Sequence, residues 1–408
     1  MMSEMAIIRK GDLMNQSLRS ISEQERIISL DMMRGFAILG IFLVNMLTFH
    51  SPYPNFDPYE WWSGTADKAI YTFIDIFVQA SFYTLFSLLF GYGLVIMWER
   101  SKLRGATFGW IGVRRLSFLL MIGMLHAFFI WHGDILITYA IMGFAFLLFI
   151  RMTGRNLMIT GILLYIIPNL LVSLLLFISL LVAPAEEITV YEPALAEMAM
   201  QVYQNGSFAE ITAQRISDWY ETNNLATLPF MFISIFPLFL IGGGAAKLKW
   251  LEKTKEHKKF LIWIACLSLV FGIIFKFLPY ILGKNFATEY VQDIFGGPLL
   301  AIGYGLTIAL AIEKNAIRKL LTPLSYVGKL SMSNYLFQSI ASTLIFYNYG
   351  LGLYGEISVM TGTLMVVFIY ILQIAVSRLW ISNYYYGPVE WIWRSITYLS
   401  WPKWKKEK

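Results

Sequence analysis

One cysteine, four histidines and a charged fraction of only 14% mark this 408-residue chain, and each scarcity excludes something. A lone Cys266 rules out an intramolecular disulfide, and because it sits within an apolar run it reads as lipid- or core-facing filler. Histidine is sparse and occurs without an HExxH pattern or clustered cysteines, so no zinc site is expected. No Walker-type phosphate loop, GxSxG elbow or dinucleotide fingerprint occurs, so no permanently bound cofactor is expected either. Soluble domains carry roughly a quarter charged residues, far more than this chain.

What is present instead is apolar surface: 57% hydrophobic residues and a mean hydropathy of +0.60. Runs long enough to cross a bilayer lie near 33–49, 69–97, 116–131, 135–150, 157–183, 228–246, 260–281, 296–312, 332–349 and 357–380. The expected fold is therefore all-α, a polytopic integral membrane protein of about ten transmembrane helices. The third and fourth runs are the shortest, and only His132-Gly133-Asp134 separates them. A helical hairpin is preferred there over a re-entrant element. The first run begins beyond residue 30 and lacks a small-residue cleavage site, so it reads as a retained helix rather than a signal peptide.

The cations set the orientation, because Lys and Arg collect on the cytoplasmic side. The N-terminal segment through Arg34, the segments Arg100–Arg115, Arg151–Arg155, Lys247–Lys259 and Lys314–Lys329, and the tail from Arg378 together hold 28 of the 32 Lys and Arg residues. Only Lys68, Arg215, Lys276 and Lys284 fall towards the other face. Both termini are thus expected in the cytoplasm of a cell whose inner or plasma membrane holds the chain. The net charge of +6 follows mostly from this asymmetry and calls for no nucleic-acid partner; the bilayer is the partner. Three regions follow: an N-terminal membrane block 1–183, an outer polar segment 184–227 and a C-terminal membrane block 228–408. The outer segment is acidic and permits one or two surface helices, and the Trp- and Tyr-rich end of the chain reads as an interfacial helix.

Polar side chains inside spans are expensive and fall into two groups. At the inner end, the three-residue spacing of Asp31 and Arg34 lets carboxylate and guanidinium share a face, and Gly35 permits a close helix approach. Lys329, Ser331, Asn334 and Gln338 are expected opposite, with Glu390 and Arg394 completing a charged ring. These groups read either as anchors and a local Glu390–Arg394 pair, or as an anion site for a phosphorylated or carboxylated ligand. The outer group comprises Asn45, Asp75, Gln79, His126, His132 and Asp134. Asp75, Gln79 and Tyr83 recur every fourth residue and so predict one stripe on the second helix. His126 is either a packing imidazole or a general base; His132 and Asp134 read as solvated turn residues and His50 as interfacial.

Arg34 and Asn45 lie eleven residues apart, on one helix face and about 16 Å apart along the axis. A single ligand would reach both. Gly242-Gly243-Gly244 and Pro279 read either as helix breakers, as in transporters, or as ordinary interface residues, and no internal repeat is visible. Small-molecule transport is therefore the alternative to an enzymatic role, and a non-catalytic membrane partner is a third reading.

The segments LDMMRGFAILGIFLVN (30–45), LFSLLFGYG (85–93), HAFFIWHGDILITYAIMG (126–143), GKLSMSNYLFQS (328–339) and GPVEWIWRSITY (387–398) run through nearly the whole chain. Together they resemble the YeiB-like family of uncharacterised bacterial membrane proteins. The opening Asp31-x-x-Arg34-Gly35 before an apolar helix is also similar to the transmembrane acyltransferase superfamily, whose members move an acyl group from cytoplasmic acyl-CoA to an acceptor, often a sugar. That resemblance implies acyl-CoA as donor substrate, held by Arg34 with Asp31, Arg114 and Arg115 near its phosphates, and a sugar or lipid acceptor at the outer face. O-antigen-type members carry a histidine where this chain has Asn45, an amide that cannot act as a base near neutral pH. The expected substitute is His126, supported by Asp75 or Asp134.

Overall fold

The computed structural model describes residues 27–103, 105, 107–182 and 191–407. Arg9, Lys10, Arg19, Arg26, Arg104, Lys408, Glu186 and Glu187 of the charge pattern lie outside the described residues. The elements are α1 Ile28–His50, α2 Pro58–Trp61, α3 Thr65–Phe77, α4 Ser81–Leu103, α5 Phe108–Phe129, α6 Leu136–Phe149, α7 Gly154–Val182, α8 Pro193–Asn205 and α9 Phe208–Asn223. They continue as α10 Leu228–Lys247, α11 Lys258–Lys276, α12 Leu278–Leu282, α13 Phe286–Val291, a π-helical turn Gln292–Gly296, α14 Gly297–Ala311, α15 Asn315–Lys329, α16 Ser331–Phe346, α17 Val359–Asn383 and α18 Pro388–Tyr398. Among the described residues the only β pairing is an isolated bridge between Tyr384 and Lys405.

Among the described residues eight helical stretches are long and apolar enough to cross a membrane, with the 14-residue α6 as a shorter apolar helix. The 16-residue α16 covers the expected span near 332–349. The third span is longer than its apolar run: α5 starts at Phe108, so Arg114 and Arg115 are turns of the helix rather than part of the preceding loop. α7 illustrates why the bundle belongs in lipid. Its buried residues Tyr165, Asn169 and Ser173 recur every fourth position and face the protein, while Leu163, Leu170, Leu174 and Leu181 face outward and exposed. An apolar outer surface on that scale is costly in water and favourable in hydrocarbon.

Small residues set the tightest contacts, as expected where packing rather than water expulsion drives helix association. A Cβ at Gly35 of α1 would lie 1.9 Å from the Leu324 carbonyl oxygen of α15, and one at Gly328 would lie 1.8 Å from the Asp31 carbonyl oxygen. Gly242 and Gly244 likewise admit the backbones of α4 and α7. The three consecutive glycines therefore lie in an unbroken α10 as close-approach points, not as a break.

A break occurs elsewhere. α3 ends at Phe77 and α4 restarts at Ser81, with Ala80 in the left-handed region at φ 60°. Gly297 packs so tightly on Ala80 that a Cβ there would meet the Ala80 Cβ at 2.7 Å. Asp75 and Tyr83 consequently sit on different helices, and the expected Asp75–Gln79–Tyr83 stripe is not formed.

Candidate functional site

A cavity of about 440 Å³ opens among α1, α4, α5, α16 and α18. Its lining runs along α1 from Ile27 to Ile41, a depth of about 21 Å at 1.5 Å per residue. Among the described residues six cationic side chains, Arg34, Arg100, Arg115, Lys329, Arg394 and Lys406, line it, against two acidic ones, Asp31 and Glu390. Beyond them lie Ile38, Ile41, Phe86, Phe90, Leu119 and Tyr139. A ligand with an anionic head and an apolar portion fits this distribution.

Three of these cations are held by identifiable chemistry. The Arg34 guanidinium stands 3.5 Å from the buried Asp31 carboxylate, the meeting that their spacing predicts, and Gly93 leaves it room. The Arg115 guanidinium stacks on Trp393 with 3.7 Å from its carbon to the ring centroid, while the Trp393 indole N–H donates to the Arg115 carbonyl. That cation–π contact locks α18 to α5 and leaves the buried Arg115 Nε without a partner. Arg394 lies over Tyr386 and Tyr398. Glu390 does not turn to Arg394; it caps α16, accepting from the Met332 and Ser333 amides and the Ser333 hydroxyl. Desolvation there raises the Glu390 carboxyl above its usual range, with the Ser333 bonds opposing.

Three expected members lie outside this lining. Arg114 donates to the Thr397 carbonyl. Asn334 and Gln338 face α17, where Asn334 Nδ2 donates to Ser377 Oγ, Gln338 Nε2 to Gln373 Oε1, and Gln373 Nε2 to the Asn334 carbonyl. Those amides join two helices in lipid. One residue along, Tyr335 is rotated about 100° to the cavity side, a residue that spacing arguments passed over.

Tyr335 is the link to the outer group. Its ring lies 5.1 Å from that of His126, between centroids, and its buried hydroxyl has no partner of ordinary hydrogen-bond geometry. His126 Nδ1 lies 2.8 Å from Asp134 Oδ1, both side chains fully buried. Asp134 Oδ2 accepts from the Ile137 amide and so caps α6. Asp134 is thus not a solvated turn residue. A carboxylate only accepts, so the neutral imidazole carries its proton on Nδ1 and presents a bare Nε2, which is buried without a partner. Neither His126 nor Asn45 is among the cavity residues, although Ile135 and Leu136, which flank this turn, are. Arg34, Asn45 and His126 therefore do not line one cavity. His50 is fully buried against Trp62 and Phe346 rather than interfacial, and His132 pairs with Asp218 at 3.6 Å.

A second polar cluster surrounds the broken helix. Lys276, fully buried, donates to Asp293 at 2.7 Å and to the Asp75 carbonyl at 3.2 Å. Asp75 Oδ2 accepts from Tyr280 and Gln292, and Gln79 bonds Asp293. Lys276 caps the free carbonyl end of α3, where the helix dipole favours a cation. Sequence spacing found Asp75 and Gln79 but not Lys276 or Asp293; the signal was a lysine and an aspartate seventeen residues apart at the edges of neighbouring spans.

These features define the class: an all-helical, multi-pass membrane protein with an internal cavity lined by cations. Within that class the chain belongs to the YeiB-like family, whose profile, described as a protein of unknown function (DUF418), matches residues 245–400. The chain is 38% identical over 411 residues to the uncharacterized protein YxaH of Bacillus subtilis (strain 168), covering 96% of this chain and 99% of that one. It is 26% identical over 385 residues to the uncharacterized protein YeiB of Escherichia coli (strain K12), covering 91% and 96%. An uncharacterized 39.9 kDa protein in the amylase 3′ region of Bacillus acidopullulyticus is 27% identical over 391 residues, covering 93% and 95%.

Proposed function

We propose that the protein transfers an acyl group from an acyl-CoA-type thioester to a hydroxyl of a sugar or lipid acceptor. It would sit in the plasma membrane with the cation-lined cavity open to the cytoplasm and the acceptor reached from the other face. One observation carries this reading: a deep cavity with six cations and an apolar interior, separated by Tyr335 from a buried His126–Asp134 pair. Arg34, Arg115 and Lys329 would hold the phosphates of the donor, a task for which the guanidinium fork is suited. The acyl chain would lie against Ile38, Phe86 and Leu119.

In the reaction the acceptor oxygen bonds to the thioester carbonyl carbon and the carbon–sulfur bond breaks. His126 Nε2 takes the hydroxyl proton and returns it to the departing thiolate, while Asp134 stabilises the imidazolium formed between. Tyr335 stands between imidazole and cavity, so rotation of that side chain is the motion that would join donor and base. Oriented membrane vesicles supplied with labelled acetyl-CoA on the cytoplasmic face test the proposal. Protein-dependent label transfer, lost in Arg34→Ala and His126→Ala, is expected; no labelled product and no thiol release across sugar and lipid acceptors removes it.

The break in α3–α4 opposite the π-helical turn, with Lys276 between them, favours a second reading as a small-molecule transporter, since discontinuous helices facing charged groups are a transporter device. Solute flux in the same vesicles, lost in Lys276→Met, would distinguish it from acyl transfer.

A further inference from the structure

At the end of the molecule away from the six-cation cavity, α8 and α9 form a hairpin, and α9 packs against α5. Arg215 of α9 is fully buried. Its Nη1 donates to the Phe128 carbonyl at 3.2 Å, while Nε and Nη2 are buried with no partner. Trp219, four residues on and on the same helix face, sets its ring against Phe128 at 5.3 Å, and its indole nitrogen is likewise buried without a partner. The nearest acidic residue on α9 forms no ion pair with the guanidinium: Asp218 accepts from Tyr203 and Gln214 and pairs with His132. Among the described residues no carboxylate lies within ion-pair distance of Arg215.

An arginine cannot shed its proton, so burial cannot be relieved by neutralisation. A buried charge without a counter-charge is among the most unfavourable arrangements in a protein, and orphaned N–H donors add to it. The unmatched groups here are all donors, and together they carry a full positive charge. Water would satisfy donors but not the charge. An oxyanion would satisfy both, and the edge formed by Nε and Nη2 matches the two oxygens of a carboxylate or phosphate.

We propose that Arg215 and Trp219 form an oxyanion-binding site for the carboxylate or phosphate group of a ligand that reaches the hairpin from this end of the protein. The site stands whether or not the protein transfers acyl groups.

The test uses the full-length protein in phosphatidylcholine nanodiscs, titrated with inorganic phosphate against chloride at matched ionic strength and followed by thermal unfolding and tryptophan emission. Phosphate is expected to raise the unfolding midpoint. Trp219→Phe, which keeps the ring and deletes one donor, should weaken the apparent affinity about fivefold, the size of one hydrogen bond. Arg215→Gln should abolish the effect. A second arm replaces part of the lipid with phosphatidylglycerol without phosphate; stabilisation confined to this arm and lost in Arg215→Gln assigns the site to a lipid headgroup rather than a free anion. Equal midpoints in phosphate, chloride and both lipids, or identical responses in wild type and Trp219→Phe, overturn the proposal even if Arg215→Gln fails to fold.

Discussion

His126 and Asp134, on either side of the turn between α5 and α6, are joined by a 2.8 Å hydrogen bond with neither side chain exposed. The carboxylate has two tasks at once, because its other oxygen caps α6 through the Ile137 amide. Asp134→Asn separates them. The amide still accepts from Ile137, but it donates to His126 Nδ1, which moves the ring proton to Nε2 and removes the basic site. Stability should stay within about 1 kcal/mol of wild type, the scale of a cap, while transfer should fall by about 10²- to 10⁴-fold, the usual contribution of general base catalysis. Unfolding curves and labelled-acetyl transfer measured on the same preparation check this. Unchanged transfer would show that the pair is only a structural cap.

Glu390 makes folding pH-dependent with a defined sign. Its carboxyl is raised above the usual 4.5 by desolvation at the cavity wall, the Ser333 bonds opposing. Just above pH 4.5 the folded protein keeps a proton that the unfolded chain has released, so raising the pH favours unfolding across that window and then has no further effect. Stability contributed by this group is therefore present in acid and lost as pH rises through the folded value. Glu390→Gln, which keeps an acceptor for the Met332 and Ser333 amides, should flatten this part of the profile in unfolding midpoints taken from pH 4 to 7.

The wall of the cavity rests on two backbone contacts. Adding a methyl at Gly35 or Gly328 places it under 2 Å from a carbonyl oxygen of the facing helix, where no side-chain rotation can relieve the overlap. Gly35→Ala and Gly328→Ala should each cost about 1–3 kcal/mol or more. They should also separate α1 from α15 and so weaken donor binding. Gly109→Ala, where a methyl meets nothing within 4 Å, is the control and should be neutral or slightly stabilising in the same melt.

Which of these features the sequence displayed depends on how local their causes are. The spans were legible because lipid solvation acts on each run of residues separately, and the Asp31–Arg34 pair because three-residue spacing fixes it within one helix. The α3–α4 break was not, since Ala80, at positive φ, packs closely on Gly297, more than two hundred residues away. Asp134 could be named but not placed: a turn of His, Gly and Asp reads as wet unless one knows that α5 and α6 bury it. Asn334 and Gln338 share a face and group with Arg34 on spacing alone, yet rotation about the helix sends these amides to α17 and gives the cavity side to Tyr335, which spacing does not single out. Lys276 was visible only as a stray charge, because its meaning depends on Asp293 and on the carbonyl end of a helix far off in sequence.

That ion pair gives the sharpest energetic test. Lys276 is fully buried, and Asp293 and the free end of α3 are its partners. Lys276→Met leaves the Asp293 carboxylate, itself 35% exposed, beside the unsatisfied carbonyl end of α3, and should cost less than the ~3–5 kcal/mol of breaking a fully buried pair. Asp293→Asn leaves a buried ammonium and should be similarly damaging. The double variant removes both charges and leaves only lost hydrogen bonds, so it should be more stable than either single variant. A coupling energy of at least about 2 kcal/mol in the double-mutant cycle is the expected result. Unfolding of the four proteins in nanodiscs measures it, and additive losses would mean that the two charges do not depend on one another. Flux measured on the double variant then separates structure from transport: a folded protein that has lost only flux would assign the cluster to a transport path, whereas one that still transfers acyl groups normally would leave Lys276 as the cap that holds a broken helix closed.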